Sequence, residues 1–560
     1  MSSAPADVVA PASRAETPAP RPVSLAAPLV WFFVSGACAL VYQVVWVRRM
    51  VLLTGTTTAA VSTVLGVFMA GLGLGAWIFG VQADRSSRPL KLYAYLEAGI
   101  ALYALALPWL LGLCTPLYVE AARELAGRPA PLLLLRVTLG FLLLIVPTAL
   151  MGGTFPALVR HVASDPARFG THLGVLYSTN LAGGVAGSLA AGFVLIRALG
   201  VDGATMAAVL ANLAVAASAL LWRERRASPP AAARAVKPPA IGRTFPPAAR
   251  PLVWATVAFS GVLTMAYEVL WTRILVFPFQ STVYAFTLIL ATFLTGLALG
   301  SRLYVAAERR ADPLRVLALA QALAGLSALV FTPLSLYLVD VMRLALLWIH
   351  PGAGVFLAVT ALCAALVMLV PATFMGVVLP LGMRLLVDDL ARSGRQVGLA
   401  YLANTGGSVA GALLAGFALI PLLGLKHALL LLAAAQVGLG GAFLGHLALP
   451  PPRRRQVRAA SAALLAVAAG GAAWLLSGPS PFDLQNLRGS SRPVIHAHRD
   501  AVGSSVSVVS AHAGEKMLRI DGVNAALEGA RAGYMPMMAH IPMLLHPDPR
   551  RLLVICFGTG

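Results

Sequence analysis

The chain spells one passage twice. Residues 35–75 read SGACALVYQVVWVRRMVLLTGTTTAAVSTVLGVFMAGLGLG, and residues 260–300 read SGVLTMAYEVLWTRILVFPFQSTVYAFTLILATFLTGLALG. At a constant offset of 225, Ser35, Gly36, Tyr42, Trp46, Arg48, Phe68, Gly71 and Gly75 meet Ser260, Gly261, Tyr267, Trp271, Arg273, Phe293, Gly296 and Gly300. A second block holds an offset of 224, setting Pro147, Met151, Gly152, Pro156 and Arg160 against Pro371, Met375, Gly376, Pro380 and Arg384. A third keeps 224, with Gly174, Tyr177, Asn180, Gly183, Gly187, Gly192 and Gly200 against Gly398, Tyr401, Asn404, Gly407, Gly411, Gly416 and Gly424. Register held this far marks an internal duplication of a unit of roughly 200 residues, which restricts the fold to two like bodies packed about an axis.

What each unit is follows from its apolar runs. Of the 560 residues 59% are hydrophobic and 11% charged, with a mean hydropathy of +0.82, whereas a soluble domain carries about 25% charged residues. Runs long enough to cross about 30 Å of hydrocarbon fall near 28–47, 58–82, 92–114, 131–156, 172–196 and 203–222, then 252–272, 281–304, 314–338, 353–379, 396–420 and 427–448. Six crossings per unit bring both units in from the same side, as parallel repeats about an axis along the membrane normal. The net charge of +21 does not indicate nucleic acid, because the arginines sit in short loops between apolar runs. Placing the N-terminus inside puts Arg85, Arg88, Lys91, Arg160, Arg168, Arg302, Arg309, Arg310, Arg315, Arg384, Arg392, Arg395 and the basic linker 223–250 on the cytoplasmic side, as the positive-inside rule requires. The four cysteines, Cys38, Cys114, Cys363 and Cys556, form no C-x-x-C pair, so neither a disulfide framework nor a metal site is expected. Residues 1–27, rich in Ala, Pro and Ser, read as a disordered tail.

Two repeats of six spans joined by a basic linker resemble the major facilitator superfamily. After the second span, Gly80-Val81-Gln82-Ala83-Asp84-Arg85-Ser86-Ser87-Arg88 is similar to that superfamily's G-x-x-x-D-R-x-x-R loop. The resemblance implies that the acid and the arginines pair and cap helix ends.

Beyond the second repeat a thirteenth run covers 459–476, preceded by Arg453, Arg454, Arg455 and Arg458. From Ser477 the text turns polar, with alternating strand-like segments over 477–545 that predict β-hairpins. Residues 552–556 form an apolar strand running into Gly558-Thr559-Gly560, the opening of a Rossmann-like fold in which glycines let the backbone approach a nucleotide. Such a fold needs a helix and further strands, so the chain reads as truncated within the segment 546–560. The fold class expected is an all-α polytopic membrane bundle of two parallel six-helix repeats plus one further span. A soluble β-hairpin domain and the first strand of a Rossmann-like α/β domain follow it.

The segment LRIDGVNAALEGARAGYMPMMAHIPMLLHPDPRRLLVICFGTG resembles the spermidine synthase (polyamine aminopropyltransferase) family through Asp521-Gly522, Tyr534, Met537, Ala539-His540, Pro542, His546-Pro547 and Gly558/Gly560. The whole chain is similar to bacterial proteins that fuse a multi-span region to such a domain. The resemblance implies a membrane-bound aminopropyltransferase acting on a decarboxylated S-adenosylmethionine-type nucleoside as co-substrate, with a small-molecule amine or nucleoside as partner and no resident cofactor. It implies that Gly558 and Gly560 approach the nucleoside and that Asp521, Tyr534 and His540 contact substrate; no catalytic residue is assigned. The sequence departs from the pattern at Ser504, Ala525, Ala530-Arg531, Met535, Pro536 and Thr559, where the family carries amide, acidic or histidine contacts. Aminopropyl transfer needs carboxylates to hold a cationic amine and take its proton, and losing acids while gaining Arg531 weakens such a site. Thirteen spans from an inner N-terminus would also place this domain outside, away from a cytosolic donor. The alternative reading is a transporter of the major facilitator kind with a degenerate nucleoside-binding appendage.

Within the spans, the polar residues that invite a role are Glu268, its mate Gln43 in the first repeat, and the equivalent pair Asn180 and Asn404. A mid-bilayer carboxylate costs about 2.5–3.5 kcal/mol on insertion scales, so Glu268 predicts a bundle-interior position. Asn180 and Asn404 predict hydrogen bonds between helices, and Gly183/Gly187 and Gly407/Gly411, spaced G-x-x-x-G, predict close helix packing. Tyr42–Trp46 and Tyr267–Trp271, spaced i, i+4, share a face and read as anchors at the membrane interface.

Overall fold

A computed structural model describes residues 25–54, 58–125, 127–163, 165–222, 249–279, 283–308, 310–338, 341, 353–446, 470, 494–500, 505–510, 515–520, 523–527 and 534–550. The first repeat comprises α1 (Ala26–Thr54), α2 (Thr58–Arg85), α3 (Pro89–Glu124), α4 (Pro129–Val162), α5 (Phe169–Leu189) and α6 (Ile196–Leu221). The second comprises α7 (Arg250–Phe279), α8 (Val283–Ala307), α9 (Pro313–Phe331), α10 (Ala353–Leu386), α11 (Ser393–Leu414) and α12 (Ile420–His446). Among the described residues, ten stretches are long and apolar enough to cross a membrane. Two of them, Phe169–Leu221 with 53 residues and Leu390–Leu444 with 55, would each reach about 80 Å as one helix, far beyond one bilayer.

Each of those long stretches turns back on itself at a glycine. Gly200 and Gly424 both have φ +71°, a left-handed conformation that glycine adopts without the Cβ penalty. They hold the same place in the two repeats, directly after matching π-helical segments at Ala190–Leu195 and Ala415–Leu419. The ten stretches therefore make twelve crossings among the described residues, six per repeat. Prolines recur too, at Pro147 and Pro156 in α4 and Pro371 and Pro380 in α10; neighbouring helices let a membrane helix keep them.

The packing within the repeats is mirrored. In the first, α1 lies against α5 and α2 against α4; in the second, α7 lies against α11 and α8 against α10. Glycines set these distances. A Cβ at Gly183 or Gly187 would come within 2.0 and 2.1 Å of the Phe33 and Ala37 carbonyl oxygens on α1, and one at Gly407 or Gly411 within 2.0 and 2.1 Å of the Ala258 and Val262 oxygens on α7. The small-residue steps thus do what their spacing predicts, holding two backbones in contact. The repeats meet along α2 with α11 and, equivalently, α5 with α8. Large apolar side chains that face away from the bundle, such as Trp109, Leu117, Leu134 and Leu422, are 66–79% exposed, which suits lipid rather than water as their surroundings.

The aromatic pairs differ from expectation. Tyr42 stacks on Trp46 at 5.2 Å and Tyr267 on Trp271 at 4.9 Å, and all four are at most 1% exposed. They are core pieces between helices, not interface anchors; the Trp271 indole donates to Thr332 Oγ1 at 3.2 Å.

Beyond the bundle, β1 (Val494–Asp500), β2 (Ser505–Ser510), β3 (Lys516–Ile520) and β4 (Val523–Leu527) form an antiparallel meander in that order, followed by α13 (Tyr534–Leu545). Bulges break the register between Ile495 and Ala497 and between Leu518 and Arg519. The hairpins expected over 477–545 are present where this region is described. Apart from Gly470, the thirteenth span at 459–476 lies outside the described residues, as do Asp521, Gly522 and the strand and glycines of 551–560.

Candidate functional site

A cavity opens within the first repeat and is closed on one side by the second. Its lining comes from α1 (Phe32, Ser35, Ala39), α2 (Leu72), α3 (Ile100), α4 (Met151, Gly152, Thr154, Phe155), α5 (Tyr177, Asn180), α6 (Asn212) and α11 (Tyr401). Twelve of the thirteen lining residues belong to the first repeat, and Tyr401, the counterpart of Tyr177, closes the wall from the second. Phe155 links the aromatic wall, 5.6 Å from Phe32, 5.9 Å from Tyr177 and 6.1 Å from Tyr401 between ring centres. Hydroxyls and amides supply the polar part, and no charged side chain is in the lining. A mostly apolar concavity with a few convergent polar groups suits a small-molecule site.

Directly behind this wall lies a buried acid. Glu97 on α3 is 0% exposed, and its Oε2 accepts from the Asn212 amide at 2.9 Å. Ser35 on α1 and Tyr93 on α3 are its polar neighbours. Both hydroxyls face the carboxyl, while Asn212 Oδ1 has no hydrogen-bond partner. The second repeat carries the same contact without the acid. Gln321 and Gln436, which stand 224 positions after Glu97 and Asn212, bond side chain to side chain at 3.1 Å, both buried.

One end of the bundle is tied by reciprocal caps. Asp84, at the end of α2, accepts from the backbone N–H groups of Gly394 and Arg395 at 2.9 and 2.8 Å. Those residues begin α11 of the other repeat, so the carboxylate meets orphan donors and the positive end of the helix dipole together. Arg160 of α4 stands 3.4 Å from the same carboxylate. The mirror arrangement uses Glu308, 3.5 Å from Arg384 and bonded by the Thr171 hydroxyl at 3.0 Å at the start of α5. The loop motif of residues 80–88 therefore does cap a helix end. The arginine paired with its acid is Arg160 from α4, not a neighbour in the loop. Close approach is built in: a Cβ at Gly170 would lie 1.7 Å from Glu308 Oε1, and one at Gly394 2.7 Å from Asp84 Oδ1.

The sequence-selected residues are distributed as follows. Asn180 lines the cavity and donates from Nδ2 to the Phe32 carbonyl at 3.1 Å; Asn404 donates to the Val257 carbonyl at 3.0 Å. Glu268 and Gln43 are half-buried within α7 and α1, apart from the cavity lining. His540 is exposed on α13. Tyr534 begins α13, and its side chain lies outside the described part, as do Asp521, Gly558 and Gly560. Glu97 was not among the selected residues. The signal that finds it is the repeat register, because each repeat has an acid where the other has glutamine: Glu97 against Gln321, Glu268 against Gln43. Among the described residues no cluster of three or more His, Cys, Asp or Glu could hold a metal ion.

No family model and no curated protein matches the chain. Among solved structures, the chain is similar to the E. coli fucose:proton symporter FucP, at 14% identity and a TM-score of 0.47 over 75% of this chain and 98% of that one. It is similar to a bacterial homologue of the iron transporter ferroportin in its outward-facing state, at 13% identity and a TM-score of 0.47 over 74% and 97%. It is similar to the human organic anion transporter MFSD10, at 13% identity and a TM-score of 0.44 over 74% and 99%. The expectation of a membrane-bound aminopropyltransferase is corrected by this comparison: the similar solved structures are transporters aligned over about three-quarters of the chain. The enclosed hydroxyls, amides and acid lie inside the bundle, and His540 of the C-terminal region is exposed. The membrane region is a helical bundle of twelve crossings among the described residues, six per repeat.

Proposed function

We propose that the protein is a secondary transporter that carries a small molecule through the cavity lined by its first repeat and closed by Tyr401 of its second, by opening alternately at its two ends. The observation that carries this reading is the cavity itself: it is enclosed within a bundle of two like bodies, lined by the first repeat and closed by Tyr401 of the second, so a rocking of one body against the other changes its access. The reciprocal caps at Asp84 and Glu308 act as the fastenings of one end. They are short, polar and few, so water replaces them when that end opens. The lysine and arginine distribution supports placing that end, and the N-terminus, in the cytoplasm.

The test uses a single cysteine at the cavity, Thr154→Cys, in otherwise cysteine-free full-length protein reconstituted in sealed vesicles. A membrane-impermeant thiol reagent is expected to label it, and a transported solute to slow that labelling, so a panel of sugars, amines and carboxylates also reports the substrate class. A folded protein whose position 154 is reached from neither side, and protected by no solute, overturns the reading.

A further inference from the structure

The mirrored contact behind the cavity carries a second conclusion, which rests on the transporter reading above. In both repeats, the third and sixth helices bond to each other through one buried side-chain pair. In the second repeat the pair is two amides, Gln321 and Gln436, which are neutral at every accessible pH. In the first it is Glu97 and Asn212. The same backbone slot therefore accommodates an uncharged side chain of the size of a protonated glutamate.

The hydrogen-bond inventory points the same way. Asn212 donates to Glu97 at 2.9 Å, the Ser35 and Tyr93 hydroxyls face the same carboxyl, and all of these groups are neutral. The groups around it include an unused acceptor, Asn212 Oδ1. A hydrogen added to the carboxyl gives the cluster one more donor, for which Asn212 Oδ1 is an unused acceptor. The titratable groups facing Glu97 are Cys38 and Tyr42 from α1 and Tyr93 from α3 itself. The group facing it from α6 is the neutral Asn212, and the described ionisable residues of α4, which are Arg136, Arg160 and His161, lie towards that helix's two ends. Among the described residues, no cation is one of the groups that act on the acid. Two of its neighbours, Ser35 and Asn212, are themselves cavity wall, so water in the open cavity is one side chain away from the carboxyl.

We propose that Glu97 is a proton-binding site that loads and unloads through the cavity, making transport proton-coupled. An O–H bond forms on the carboxyl with a proton from cavity water, and that proton returns to water when the site is presented again; no other bond changes. Asn212 is a positioning residue that holds one carboxyl oxygen in both states.

The experiment is infrared difference spectroscopy of the full chain in liposomes, titrated over the pH range in which its melting transition is unchanged. The expected result is a carboxylic-acid C=O band that titrates in the wild type, is lost in Glu97→Gln and returns in Glu97→Asp. Glu97→Gln reproduces the second repeat's own residue and is expected to retain the melting transition. It is also expected to remove the pH dependence of labelling at position 154. A band unaffected by Glu97→Gln, or no titrating band at all, overturns the proposal while leaving the transporter reading in place. A titrating Glu97 band in a protein whose cavity is never labelled retains the proton site and removes the transporter.

Discussion

Removing the Asp84 carboxylate should release one end of the bundle. In the closed arrangement Asp84 receives two backbone N–H bonds at 2.9 and 2.8 Å from the other repeat and stands 3.4 Å from Arg160. Hydrogen bonds to a charged group are worth about 1.5–3 kcal/mol each relative to water. The Arg160 pair is reached by solvent, with its side chains 25% and 12% exposed, and adds at most about 1 kcal/mol. Taking the lower figure for both bonds and nothing for the ion pair, Asp84→Ala weakens the fastening by roughly 3 kcal/mol. At 1.4 kcal/mol per factor of ten, that is roughly a hundredfold shift towards the arrangement open at that end. Glu308 holds one hydroxyl bond and one ion pair, so Glu308→Ala should shift the balance by only about tenfold. The assay is the rate of Thr154→Cys labelling from each side of oriented vesicles, read as a ratio. Equal ratios in wild type and Asp84→Ala, in protein with an unchanged melting transition, would refute the argument that these bonds decide which end is shut.

Three further outcomes follow from the packing. Gly187→Ala and Gly411→Ala each put a Cβ 2.1 Å from a backbone oxygen of the facing helix, and each should cost about 1–3 kcal/mol, read as a lowered melting temperature in detergent. Asn180→Ala and Asn404→Ala each lose one interhelical bond to a carbonyl; each should cost about 1 kcal/mol, but only Asn180→Ala, which alters the cavity wall, should also change solute protection at position 154. Asp388 lies in the connection after α10. Partial burial pushes its carboxyl up, but bonds from Gln396 and Arg250 outweigh this and hold it below the ordinary carboxylate value. Its stabilising contribution is then present above the unfolded value of about 3.9 and is lost as pH falls from there through the lowered folded value. Asp388→Asn should therefore melt below wild type at neutral pH, with the gap closing in acid; a gap that persists in acid would contradict this.

Much of the architecture was legible because lipid demands long apolar runs, and the demand leaves little freedom in helix number. The repeat register carried more than the count. It paired Gly200 with Gly424 before either was seen to reverse the chain, and it paired Asn180 with Asn404, which make equivalent bonds. The inward faces were not legible. In a soluble protein the polar face of a helix points outward, but in a bilayer both the core and the surroundings are apolar. Tyr42, Trp46, Tyr267 and Trp271 were therefore read as interface residues although they are core. Glu97 was missed for a related reason, since an acid nine positions into a span starting at Pro89 looks like a fraying helix end until its partner on α6 is known. Glu268 drew attention by its place in the repeated passage, yet the cavity lies elsewhere. Motif resemblance at the C-terminus drew the functional reading towards an enzyme, while the distribution of enclosed polar groups points into the bundle.

The reciprocal caps carry a consequence for how such a chain could arise. Each acid grips a helix belonging to the opposite repeat, so an association of two identical six-helix proteins would have had both grips from the start. What such a homodimer could never have is a difference between its halves. Only after the two copies were joined in one polypeptide could one keep an acid at the buried contact while the other carried an amide, as Glu97 and Gln321 now do, and as Glu268 and Gln43 do in the opposite sense.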